Sequence, residues 1–291
     1  MLMSTQSFPL NRRVLVTDAR FLHPKGINAF EDTSNQPNPE VAQAEHQAAA
    51  TAFQEAGIVV EQIASPLDCQ DGVFTANWGL TWGGKALLSK LPNLRQAEEP
   101  AAEVALQALG FETQRAGVLF SGQGDAMIIG SKRVLIGNGY RTDPAVANGI
   151  QDWLGLDVTV VRAKPKRRWY GARVRNKVTG LWDSYYYDLD MAVAVIRPDL
   201  LAVCLDALTS EGRRAITGLR DIEIIPVSEH EAKYGLACNL VSTGDTVIMS
   251  DEAPQLAARL EGHHLKVIKL SNRELRKSGG GFRCMSLSLY S

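Results

Sequence analysis

Cysteine is scarce in this chain. Only Cys69, Cys204, Cys238 and Cys284 occur in 291 residues, and no two form a CxxC pair. That spacing gives no support to zinc-ribbon or thioredoxin-like readings, and no ligand cluster points to a metal. Net charge is also nearly absent, at −1. The molecule as a whole therefore advertises neither a nucleic-acid nor a membrane partner. No apolar run is long enough to span a bilayer. The opening stretch MLMSTQSFPLNRR has no apolar core of the kind a secretory signal needs. There is no low-complexity linker, no internal repeat and no composition break to mark a domain boundary. These absences predict a reduced, cytoplasmic protein of one α/β domain over residues 1–291. Its cysteines are then mostly small core residues.

What is present alternates. RVLVTDAR (13–20) reads as a buried strand, and 37–57 as a helix with proline at its start and Gly57 at its end. IVVEQIA (58–64) is a strand, and VFTANWGLTW (73–82) with KALLSKL (85–91) reads as a strand pair. A helix follows over 97–109. GVLFSG, AMIIG and RVLIG are short apolar runs, and Asp143-Pro144 opens a helix to about Leu154. VTVVRA is a strand, YYYDLDMAVAVI (185–196) and LLAVCLDAL (200–208) are paired strands, and a helix lies near 210–219. IEIIPVS, a hairpin turning at 242–245, a helix at 254–261, KVIKLS and the terminal GFRCMSLSLY complete the chain. The rhythm is strand, hairpin, helix, throughout.

One segment departs from it. KPKRRWYGARVRNK (164–177) carries seven basic residues and no acidic one. It reads as a solvated hairpin insertion over about 164–182, with an anion-binding lid as the alternative that Trp169 and Tyr170 keep open.

Polar residues that could carry chemistry are scattered over several loops. Cys284 directly follows the triple-glycine turn 279–281, where backbone can approach a ligand closely. N–H groups there could activate a thiol. Asp71 and Asn77 punctuate DGVFTANWG, and Asp125 sits in GQGDAM, whose glycines match neither a dinucleotide nor a P-loop spacing. Arg141, in GNGYRTDP, could hold a carboxylate with two parallel hydrogen bonds or merely solvate a turn. Alternation places Asp188 and Asp190 of YYYDLD on one side of a strand, either gripping a cation or facing solvent. The five histidines read as surface or capping residues.

Taken together, DGVFTANWG, GQGDAM, GNGYRTDP, DLDMAVAVI, EHEAKYGLACN and SGGGFRCMSL resemble, in order and approximate spacing, segments of the guanidino-group-modifying superfamily. That superfamily includes dimethylargininases, arginine deiminases and amidinotransferases. LRQAEEP (94–100) and GINAF (26–30) also resemble family segments. The resemblance implies a pentein, an α/β propeller of five ββαβ-type units around a pseudo-fivefold axis. It implies a cofactor-free reaction in which a cysteine thiolate attacks a guanidinium carbon, forming a covalent amidino-enzyme that water resolves in hydrolases or a second amine in transferases. By the same resemblance Cys284 is the nucleophile, and Asp190, Asp71 and Asn77 belong to the guanidinium site together with Asp125. Arg141 holds a substrate carboxylate, and Arg95 is placed beside it. Two positions depart from the family pattern: Asp188 stands where a catalytic histidine is implied, and Ser121 where its glutamate partner is. The expected partner is a small arginine-like substrate, cationic or ureido, and the assembly a possible homodimer. Hydrolase, amidinotransferase and catalytically silent guanidinium binder remain as readings.

Overall fold

The computed structural model describes residues 10–291; the first nine residues of the polar opening stretch lie outside it. Fifteen strands form five three-stranded sheets. The strands run β1 (Arg13–Val16), β2 (Val59–Gln62), β3 (Gly79–Trp82), β4 (Lys85–Leu88), β5 (Glu112–Arg115), β6 (Ala126–Ile129), β7 (Arg133–Gly137) and β8 (Asp157–Val161). They continue as β9 (Val193–Arg197), β10 (Leu200–Val203), β11 (Glu223–Pro226), β12 (Val241–Ser242), β13 (Thr246–Ser250), β14 (Lys266–Leu270) and β15 (Leu287–Ser288).

Each sheet repeats one construction. Two antiparallel strands are followed by a helix and then by a third strand parallel to the second, as in β6–β7–β8 and β9–β10–β11. The connecting helices are Pro39–Glu55, Glu99–Ala108, the pair Val146–Gly149 and Ile150–Leu154, Ser210–Thr217 and Pro254–Gly262. One unit is closed by the two ends of the described chain: β15 pairs antiparallel with β1, Val14 opposite Ser288, and β2 then runs parallel to β1. This is the pentein architecture, five ββαβ-type units around a pseudo-fivefold axis. Inner strands such as β6 and β10 are buried on both faces, whereas the outer strands β2 and β5 are largely exposed. No helix among the described residues is long and apolar enough to cross a membrane.

Helix boundaries follow their punctuation. The Asn38 side chain accepts from the N–H groups of Glu40 and Val41, Pro39 occupies the first turn, and the helix ends just before Gly57. Several sequence expectations need correction. Residues 75–78 are a 3-10 turn, not strand, so only 79–82 pairs with β4. All four residues of that turn are buried, and a run buried all round has no period to separate strand from turn. The same full burial conceals that Asp188 and Asp190 do not lie along a strand. They flank Leu189 at the start of the 3-10 turn Leu189–Met191, both fully buried, so a solvent-facing edge is ruled out. The helix after Pro144 is interrupted: Val146–Gly149 is followed by a π-helical turn, Ile150–Leu154. GVLFSG adds only a bridge from Phe120 to Lys90. Strand β5 and the short helix Glu229–Tyr234 had no periodic apolar signal to announce them. His46 is not at the surface. It is fully buried, neither ring nitrogen has a hydrogen-bond partner, and burial holds its pKa down at about 4, against the opposing pull of Asp18.

Candidate active site

The glycine turn and Cys284 meet an inward-facing set of acids where the loops of several units converge. Gly280 lies so close to Phe74 that a Cβ at that position would collide with the phenyl ring. Only glycine lets the turn pass under Phe74 and present Cys284 to the interior. The turn is held by one side chain. Asn239 Oδ1 accepts from the N–H groups of Gly281 (3.0 Å), Arg283 (3.1 Å) and Cys284 (3.1 Å), while Asn239 Nδ2 donates to Cys284 Sγ at 3.0 Å. The backbone N–H groups expected to activate the thiol are therefore spent on Asn239. Cys284 Sγ instead lies 3.2 Å from Asp190 Oδ2.

Asp188, Asn77 and the GQGD loop form the adjoining wall. Asn77 Nδ2 is 2.9 Å from Asp188 Oδ2, from the Ser121 carbonyl and from Ser121 Oγ. Gly124 packs against both Asn77 and Asp188, and a side chain there would displace them. Asp125 accepts from the Leu189 N–H at 2.9 Å, so it fixes the Asp188–Asp190 turn. Arg141 lies with Nη1 3.8 Å from Asp188 Oδ2 and its guanidinium 4.1 Å above the Tyr187 ring. Tyr187 in turn donates to the Gly279 carbonyl at 2.9 Å, linking Arg141 to the glycine turn.

Arg95 plays a different part from Arg141. It is 1% exposed and every nitrogen is engaged. Nε and Nη2 donate to the two Glu98 oxygens at 2.8 and 2.7 Å, and Nη1 donates to Asn77 Oδ1 at 2.6 Å. Nη2 also reaches the Asp71 and Phe74 carbonyls. Each of its nitrogens already has a protein acceptor, which puts it behind the site, orienting Asn77 and the Asp71 segment. Asp71 Oδ2 sits 3.8 Å from Arg95 Nε.

Four buried atoms in this cluster have no hydrogen-bond partner: Asp71 Oδ1, Asp188 Oδ1, Asp190 Oδ1 and Arg141 Nη2. Buried polar atoms without partners are uncommon and call for an explanation. Three carboxylate oxygens complement the N–H groups of a planar cation, and one guanidinium nitrogen complements a carboxylate.

Electrostatics reinforce this reading. Burial, with Glu31 and Glu98 adding to it, raises Asp71 to about 7 despite Arg95. Burial and Asp188 raise Asp190 to about 8, and the same two causes push Asp125 well up. Burial, then Asp190 and Asp188, hold the Cys284 thiol well above the ordinary cysteine value. The acids thus oppose the thiolate until a cation joins them. Thiolate absorbance, taken as the difference between this protein and Cys284→Ser, is expected to appear only at alkaline pH. Guanidinium ion and, separately, Asp190→Asn should each move its onset to lower pH. An onset below the ordinary cysteine range, or one indifferent to both changes, would contradict this account.

All eight residues singled out in the sequence lie in or directly behind one site. Three others were not. Asn239 lies at the end of EHEAKYGLACN, where it reads as an ordinary turn asparagine. Glu98 is hidden in an acidic run that looks like a solvated helix start. Glu31 follows GINAF, and its carboxylate gathers the N–H groups of Lys25, Gly26 and Ile27 and the Asn28 amide. That loop lies close enough to Arg141 and Asp71 for their charges to be felt. Asn28 also donates to the Ser278 carbonyl at 2.9 Å, fastening the loop to the cysteine turn. Asn239 works through residues far along the chain, whereas Glu98 and Glu31 bind mainly near neighbours whose side chains and N–H groups give no sign of it in the sequence.

Fold and site together define a guanidino-group-modifying pentein. The family model described as "N,N dimethylarginine dimethylhydrolase, eukaryotic" matches residues 23–291, and the chain belongs to that family. It is 27% identical over 284 residues to an N(G),N(G)-dimethylarginine dimethylaminohydrolase of Mycobacterium tuberculosis, covering 97% of this chain and 87% of that one. It is also 27% identical over 234 residues to the bifunctional arginine dihydrolase/ornithine cyclodeaminase AgrE of Nostoc, covering 79% of this chain and 31% of that longer protein. Among solved structures, the N-terminal domain of the cyanobacterial arginine dihydrolase ArgZ, as a cysteine-to-serine mutant bound to substrate, superposes with a TM-score of 0.84. The identity there is 24%, with 96% of this chain and 98% of that one covered. A dimethylarginine dimethylaminohydrolase adduct with S-methyl-L-thiocitrulline superposes with a TM-score of 0.73 at 20% identity, covering 96% and 99%.

Proposed function

We propose that this chain is a cysteine-dependent hydrolase acting on the guanidino group of an arginine-like small molecule, and that its described residues work as one pentein unit. The observation that carries the reading is the set of partnerless atoms around Cys284. The Asp71, Asp188 and Asp190 oxygens suit the N–H groups of a guanidinium, and Arg141 Nη2 suits the carboxylate at the far end of the same molecule. Relatives named for dimethylarginine and arginine hydrolysis support it.

In this reading the bound cation offsets the acids and lowers the cost of ionising Cys284. The thiol proton passes to Asp188, the residue that the sequence resemblance puts in place of a catalytic histidine. The thiolate attacks the guanidinium carbon, giving a tetrahedral adduct. The adduct collapses as Asp188 returns the proton to the departing amine, leaving an S-amidino group on Cys284. Water then adds to that carbon with its proton going to Asp188. Expulsion of the thiolate, which takes its proton back from Asp188, leaves an O-protonated product that loses that proton to solvent as the ureido compound departs.

The test is incubation with arginine, N-methylated arginines, agmatine, citrulline and succinylarginine, followed by mass spectrometry of products and of the peptide containing Cys284. At least one guanidino compound should give a ureido product and a transient adduct at Cys284. Loss of a substrate amine with the amidino group transferred to an added amine would replace the hydrolase reading by an amidinotransferase. Saturable binding of the same compounds without product or adduct would replace it by a silent binder.

A further inference from the structure

A cavity of about 420 Å³, whose lining does not include Cys284, lies at the base of the basic hairpin. Arg162, Arg167, Arg173 and Arg214 line it together with Tyr140 and Trp182. Its only acidic lining residue is Glu211, and among the described residues none of these four arginines has an ion-pair partner. The neighbouring Arg213, by contrast, is paired with Asp206 at 2.7 Å.

The hairpin holds its cations together at a cost. Arg167 and Arg173 are partners in an antiparallel bridge, so their side chains emerge side by side on one face. Like charges directly opposite each other across a strand pair are unfavourable. Arg162 approaches from the end of β8, and Arg214 from the first turns of the helix Ser210–Thr217. That helix opens beside the cavity: Thr209 Oγ1 satisfies the Gly212 N–H, and the N–H groups ahead of it have no intrahelical acceptor. Planar guanidinium groups converging from separate elements match a ligand with several phosphate oxygens.

We propose that this cavity binds a small phosphorylated anion of the diphosphate type, at a site separate from the cysteine centre. The site has a direct route to that centre. Tyr140, whose hydroxyl donates to the Ala163 carbonyl at 2.9 Å, forms one wall, and the next residue is Arg141 of the cysteine site.

The test is calorimetric titration of the full chain with inorganic pyrophosphate, ADP and a short oligothymidylate. The variants are Arg173→Gln/Arg214→Gln, which changes two exposed side chains of the cavity, and Arg213→Gln, which changes a cation outside it. One equivalent of pyrophosphate or ADP should bind. The double variant should weaken that binding by about tenfold or more, and Arg213→Gln should leave it unchanged. Pyrophosphate binding as tightly as ADP locates recognition in the phosphates alone, and tighter ADP binding adds contact with the nucleoside; either outcome supports the site. The absence of saturable binding, equal weakening by Arg213→Gln, or binding of the oligonucleotide alone would each overturn it.

Discussion

Cys284→Ser is expected to lower turnover of any guanidino substrate by about a thousandfold or more while leaving substrate affinity within a few-fold. The argument rests on what surrounds the sulfur. Asn239 and Asp190 both contact Sγ, and neither depends on sulfur for its own position. Asn239 is held by three backbone N–H groups, and Asp190 by the turn that Asp125 anchors. A serine hydroxyl therefore fits the same place, and the cation-binding acids stay where they are. What is lost is a nucleophile that can be ionised. A bound cation and Asp188 can bring a thiol within reach of its thiolate, but an alcohol is far more basic. Equilibrium binding and single-turnover kinetics separate the two quantities. A serine variant with more than about a tenth of the original turnover would remove Cys284 from the chemistry. A variant that had lost affinity to the same degree as rate would place the sulfur in binding instead.

The legibility of this site in the sequence was uneven for physical reasons. Cys284, Asp71, Asn77, Asp125 and Arg141 stand at breaks in apolar runs beside glycine or turn residues, where polarity is already unusual. The strand, hairpin, helix rhythm is visible because inner strands such as β6 and β10 are continuous apolar runs, while its arrangement into five ββαβ units is implied by the resemblance alone. Its outer strands were not equally clear. Glu112–Arg115 is half in water and has no apolar residue at all, so only its parallel pairing with β4 makes it a strand. The placing of Asp188 and Asp190 on a strand failed because full burial removes the alternation on which such a reading depends. Residues that work through a partner were the hardest to find. The resemblance alone places Arg95 beside Arg141 as a substrate contact, and nothing in its own segment argues against free donors. The sequence has no sign that Glu98, three residues on, occupies them.

That pair carries the largest stability prediction. Glu98→Ala is expected to destabilise the fold by about 3–5 kcal/mol, because removing one member of a buried ion pair strands the other. The Glu98 carboxylate takes two hydrogen bonds from Arg95 and one from Trp78 Nε1 at 3.0 Å, and both charged side chains are 1% exposed. After truncation a buried guanidinium and a buried indole N–H both lack their acceptor. Burial opposes the Arg95 charge, and Glu98 is the first of the acids that hold it in place. For a chain of this size the loss corresponds to a fall in Tm of about 10 °C. Arg213→Ala breaks an exposed pair with Asp206 of similar length, and its effect should be under about 1 kcal/mol. The consequence reaches the chemistry as well. Arg95 Nη1 holds Asn77 Oδ1, and Asn77 Nδ2 holds Asp188. A Glu98→Ala protein that remains folded should therefore lose turnover although Glu98 is not among the groups facing the cysteine. Thermal unfolding followed by circular dichroism, with activity measured well below Tm, checks both parts. A shift no larger than that of Arg213→Ala would mean that Asp71 and the surrounding carbonyls already suffice to hold Arg95.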